Sequence, residues 1–156
     1  MLIPYFVPAV PVVYSASTDA PRAGSANILE DGASIAETIT LPSTVEASSL
    51  NIAFLAEEVQ WLDSSVVSVE VTDASGARVF RTEAPANSLH DGLHSFPADG
   101  LVLRGGEKYT VTITSRMTEG GYARVMINPA VDQFPTTENG TTVHGDLLMT
   151  IAGRTK

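Results

Sequence analysis

The sequence predicts an all-β fold of two antiparallel sheets packed face to face, and three observations carry that prediction. β-Branched and turn-forming residues dominate the composition, with 16 Val and 16 Thr beside 14 Ser, 12 Gly and 9 Pro in 156 residues. From Ser34 onward apolar residues recur with a period of two, the spacing of a strand with one buried face. No stretch carries an amphipathic-helix period, and only Ala56 to Asp63 has room for a helical turn.

Taken in order, Ile35, Ile39 and Leu41 share one face of the first run, and Ser49 to Ala56 alternates Leu50, Ile52 and Phe54 against Asn51, Ala53 and Leu55. Ser64 to Thr72 sets Val67, Val69 and Val71 opposite Ser68, Glu70 and Thr72. The turn residues Asp73-Ala-Ser-Gly76 then return the chain into Arg78 to Glu83, so these two strands are expected to form a hairpin. Ser88 to Phe96 is interrupted by Asp91-Gly92 and ends before Pro97, as a short or bulged strand would. Leu101 to Leu103 leads through Gly105-Gly106 to Lys108 to Ser115, where Tyr109, Val111 and Ile113 alternate with three threonines. Tyr122 to Asn128 and Thr142 to Ala152 follow, introduced by Gly120-Gly121 and by the turn Asn139-Gly140. Pro129 to Gly140 reads as a long surface loop. About eight strands with regular turn signals imply a two-sheet sandwich of jelly-roll type.

Residues 1–32 read as an extended, Pro-rich apolar arm, and residues 33–156 as the sandwich domain. The arm holds Pro4, Pro8, Pro11 and Pro21, and its first 18 residues carry no charged side chain. A secretory signal fits poorly, because the positive start is missing and three prolines in eleven residues break the required helix. Proline instead favours an extended backbone. Leu2, Ile3, Tyr5, Phe6, Val7, Val10, Val12, Val13 and Tyr14 are therefore the expected partner-binding residues, each contributing on the order of 1.5–3 kcal/mol when buried. Two seats are open to them, an edge of their own sandwich or a neighbouring subunit.

Charge and composition narrow the partners. With 18 acidic against 9 basic side chains, a net charge of −9 and only Lys108 and Lys156 as lysines, the chain lacks the cations that track a phosphate backbone, so no nucleic acid is expected. The absence of cysteine excludes disulfides and thiolate metal sites. No apolar run reaches the roughly 18 residues of a membrane span.

Neither a catalytic site nor a metal or cofactor site is expected. His90 and His94 share a strand face with Asp91 nearby, but spacing alone does not make a metal site, so two exposed rim residues are the expected reading, and His144 stands alone. Glu57 and Glu58, like Glu30 and Asp31, are adjacent and so point to opposite sides of a strand. No Gly-x-Ser-x-Gly elbow, P-loop or dinucleotide motif occurs. Trp61, the single tryptophan, is the candidate glycan-binding platform, with Gln60 and Asp63 to bond sugar hydroxyls; its other reading is a cap on the core. Tyr122 and Phe134 are further aromatics near loops.

The strand that starts at Ala36, then Leu50-Asn-Ile-Ala-Phe54, Val67-Ser-Val-Glu-Val71-Thr-Asp73-Ala-Ser-Gly76 and Leu101-x-Leu103-x-x-Gly106-x-x-Tyr109-x-Val111-x-Ile113 follow one another in an order that resembles the galactose-binding-like and carbohydrate-binding-module jelly rolls. The resemblance covers about 115 residues, and no acidic cluster matches the structural calcium site of those domains. Such domains occur as glycosidase accessories and in phage virion and adhesion proteins. The resemblance and the arm together lead to the expectation of a non-enzymatic, oligomeric bacteriophage virion subunit (capsid decoration, head spike or tail-associated) bound to other subunits through the arm. The alternative is a secreted or cell-surface carbohydrate-binding module.

Overall fold

The computed structural model describes residues 12–15, 25–55, 65–89, 92–117, 123–129 and 133–156. Two antiparallel sheets enclose one core. The six-stranded sheet contains β3 (Ser34–Thr40), β5 (Val66–Asp73), β6 (Arg78–Pro85), β9 (Lys108–Arg116), β11 (Thr136–Glu138) and β12 (Thr141–Val143), in the order β12-β11-β3-β9-β5-β6. The eight-stranded sheet contains β1 (Val12–Ser15), β2 (Ser25–Leu29), β4 (Val45–Leu55), β7 (Gly92–Pro97), β8 (Val102–Leu103), β10 (Ala123–Asn128), β13 (Asp146–Leu147) and β14 (Met149–Thr155). Every strand pair is antiparallel. The stretch 1–32 thus contributes two strands, β1 on β14 and β2 on β10.

Alternation decides which side chains meet. Ile35 and Ile39 of β3, Val67, Val69 and Val71 of β5, and Val111 and Ile113 of β9 point inward from one sheet. Leu50, Ile52 and Phe54 of β4, Phe96 of β7, and Met149 and Ile151 of β14 meet them from the other. The outer face of the six-stranded sheet is hydroxyl-rich, and the Thr38 and Thr110 hydroxyls hydrogen-bond across it at 2.9 Å.

The β5–β6 hairpin forms as expected, from Val66 opposite Pro85 to Thr72 opposite Arg78. At its turn the Asp73 carboxylate accepts from the Ser75 hydroxyl (2.6 Å) and from the Ser75 and Ala77 amides (2.9 and 3.0 Å). The Ser75 hydroxyl, followed by those amides, holds the Asp73 pKa below its ordinary value. The resulting stability is present above the unfolded carboxylate's pKa and is lost as pH falls through the lowered, folded one.

Two expectations change. Thr142 to Ala152 is not one strand but parts of three, β12, β13 and β14, because the chain leaves one sheet after Val143 and enters the other at Asp146. The loop expected from Pro129 to Gly140 contains β11, which inserts between β3 and β12. Asn139 and Gly140 are the two turn residues of the β11–β12 hairpin, with φ of 49° and 82°, the left-handed pair that a two-residue hairpin needs. Ala56 to Asp63, the stretch with room for a helical turn, lie outside the described residues.

Candidate functional site

Two features stand out, a seam along β14 and a cavity beside the β11–β12 hairpin. β14 pairs with β4 over seven residues, from Met149 opposite Ile52 to Thr155 opposite Val45, with an irregularity between Ala152 and Gly153. Its other edge carries β1, with Val12 opposite Ala152, Tyr14 opposite Ile151 and Ser15 opposite Thr150. β10 takes over along the same edge of β4 at Phe54 and Leu55, since β7 occupies the opposite edge at both Ile52 and Phe54. Leu148 wedges into the fork, donating its N–H to Met126 O (3.0 Å) and accepting from Ala53 N (2.9 Å).

Around that fork the sheet is apolar on its outer face as well. Ala53, Met126 and Leu148 form a second buried cluster, with half-buried Leu55 packed on it. Met149 to Gly153 are buried without alternation, and Thr150 is held by a bond from Asn51 Nδ2 (3.0 Å). A sheet face that faced water would alternate polar outward, as β3 and β9 do.

The cavity, open and about 500 Å³ in volume, is lined by Gln133, Phe134, Thr136, Thr142, Val143 and His144, with Pro135 beside them. Phe134 is half-buried against the core, and His144 is exposed at the rim. Its wall is held by two carboxylates with no exposed surface, Glu37 and Asp146. Asp146 accepts from the backbone amides of Gln133 and Phe134, both at 3.1 Å. Glu37, facing Thr136 across the β3–β11 ladder, accepts from the Leu147 amide at 3.0 Å and so ties the six-stranded sheet to β13 of the other. Buried Asn128 sits opposite Asp146 on β10. Buried charge is costly unless hydrogen-bonded, so these bonds fix the backbone around the cavity rather than leave it to loop entropy.

Of the expected arm residues, Val12, Val13 and Tyr14 fall on β1, while Leu2, Ile3, Tyr5, Phe6, Val7 and Val10 lie outside the described residues. Trp61, Gln60 and Asp63 also lie outside them, as do Tyr122, His90, Asp91, Glu57 and Glu58. His94 is a half-buried aromatic partner, its ring 4.7 Å from Phe96 and 6.4 Å from Phe54, both edge-on. Among the described residues no group of three or more His, Asp and Glu side chains is placed to hold a metal ion. No helix among them is long and apolar enough to cross a membrane. Sequence reasoning missed Glu37 and Asp146. The signal for Glu37 was parity, since it occupies the inward position between Ile35 and Ile39.

No protein-family model matches the chain, and no curated protein shows significant similarity to it.

Proposed function

We propose that this protein is a non-enzymatic structural subunit of an assembly, a bacteriophage virion protein of the decoration, spike or tail-associated kind that docks on its neighbours through the N-terminal arm. The observation that carries the reading is the junction of arm and sheet. The first 18 residues carry no charge and include β1, and β1 lies on β14, a strand buried on both faces from Met149 to Gly153. The −9 charge resides in the rest of the chain and keeps the sandwich surface solvated and self-repelling, so apolar contact concentrates on the arm. The virion assignment draws on the resemblance of the strand order to phage jelly rolls.

Sedimentation velocity of the full chain and of a variant lacking residues 2–14 tests the reading. The full chain is expected to form a discrete oligomer, and the truncated chain to lose that species while keeping a β-type circular dichroism spectrum and a cooperative melt. Equal association of the two would overturn it.

The cavity favours a second reading, a glycan-binding surface displayed outside a cell or on a particle. Its volume lies within the roughly 300–1,000 Å³ of small-ligand sites. Phe134 and Val143 offer apolar contact, Gln133, Thr136 and Thr142 offer neutral hydrogen-bonding groups, and His144 offers ring nitrogens, all suited to hydroxyls. Glycan-array binding that falls at least tenfold in Phe134→Ala and survives deletion of residues 2–14 is the expected result; binding unchanged in Phe134→Ala places any glycan elsewhere.

A further inference from the structure

We infer that β1 is an exchangeable strand, seated on β14 of its own chain in an isolated copy and on β14 of a neighbouring copy in the assembly. This rests on the assembly reading and names the surface that receives the arm.

The ladder itself points to exchange. β1 has four residues, pairs at Val12, Tyr14 and Ser15, and carries a register irregularity between the first two of these. A short strand held at one edge detaches at low cost, because few ladder bonds open. An identical β14 on a second copy offers the same backbone groups in the same register, so the ladder formed between copies has the same bonds as the ladder within one. What separates the two states is the connection, not the contacts.

That connection is residues 16–24, Ala-Ser-Thr-Asp-Ala-Pro-Arg-Ala-Gly, between β1 and β2. Nine residues can extend to about 30 Å. For a linker of that length the intrachain seat has an effective concentration on the order of millimolar. Dilute protein therefore favours the intrachain seat, and close-packed neighbours favour exchange. The acceptor also dictates closure. β14 runs through buried residues from Met149 to Gly153, and a bare edge there is an aggregation template, so each donating copy must itself receive a strand. Exchange is reciprocal in a pair or passes head to tail around a ring.

The lack of native cysteine makes the seat directly readable. Ser15→Cys with Thr150→Cys places two thiols on directly opposed residues, and Val12→Cys with Ala152→Cys is the second pair should the first fold poorly. Both are oxidised at about 10 μM and at several times the roughly millimolar tether concentration, then read by non-reducing gel and sedimentation. Intrachain bonds are expected in the dilute sample and interchain bonds, at least a tenfold rise in their share, in the concentrated one. The intrachain-locked protein is expected to remain monomeric when concentrated. Association with only intrachain bonds, or with no bond in either pair, overturns exchange and leaves the assembly reading standing. A protein that stays monomeric at every concentration overturns both.

Discussion

Replacing Asp146 with alanine is expected to cost about 2–4 kcal/mol of unfolding free energy, measured by denaturant titration. The two amides it accepts from, those of Gln133 and Phe134, lose their carboxylate partner. A buried donor left unpaired costs on the order of 1–3 kcal/mol, with the exposed Gln133 at the lower end and half-buried Phe134 at the upper. Asp146→Asn should lose less, since the side chain keeps its shape and one acceptor oxygen. Removing one partner of the exposed Arg81–Glu83 pair, 3.3 Å apart, is the control and should change stability by no more than about 1 kcal/mol. An Asp146→Ala cost at or below that control would show that the wall of the cavity does not depend on this carboxylate. Because the same bonds shape the cavity, any ligand affinity it has should fall in parallel.

Gly145→Ala is expected to be at least as damaging, about 3–4 kcal/mol, for two separate reasons. The backbone there has φ of +114°, a region costly for any residue with a Cβ. The added methyl would also sit 2.6 Å from Asn128 O and 2.9 Å from both Ile127 Cγ2 and Pro129 Cα, two of these being backbone atoms that cannot swing away. Gly140→Ala separates the two causes, because its φ of +82° is also left-handed but a Cβ there meets nothing within 4 Å. That variant should lose only the conformational part, about 1–2 kcal/mol. Equal losses at the two positions, read from thermal melts, would show that crowding at Gly145 contributes nothing.

Where apolar alternation was long enough to outvote local noise, the fold was legible. Val67, Val69 and Val71 with the Asp73 to Gly76 turn located a hairpin, and Tyr109, Val111 and Ile113 among threonines located the strand that β3 and β5 flank. Legibility failed where strands are two or three residues long. β11, β12 and β13 contain no full period on which alternation could be judged, and their pairing is set by the Asn139-Gly140 turn and by Gly145. It failed again where a carboxylate serves the interior. Glu37 and Asp146 each look like an ordinary surface acid in one dimension, and their role exists only because β3 and β13 face each other across the core. The arm's uncharged character was plain in the sequence, whereas its contact with β14 depended on knowing that the last strand borders the first.

The β1–β14 seam has a mechanical consequence. β1 lies antiparallel along β14, and β14 lies antiparallel along β4 for seven residues in the middle of the sheet. A pull on the chain ahead of Val12, directed along the strand, loads the ladder bonds side by side in shear instead of opening them one after another. The load then passes through β14 into β4, the longest strand among the described residues, whose inner face is packed by Leu50, Ile52 and Phe54. A tether attached this way yields readily to peeling at its free end yet resists tension along its length.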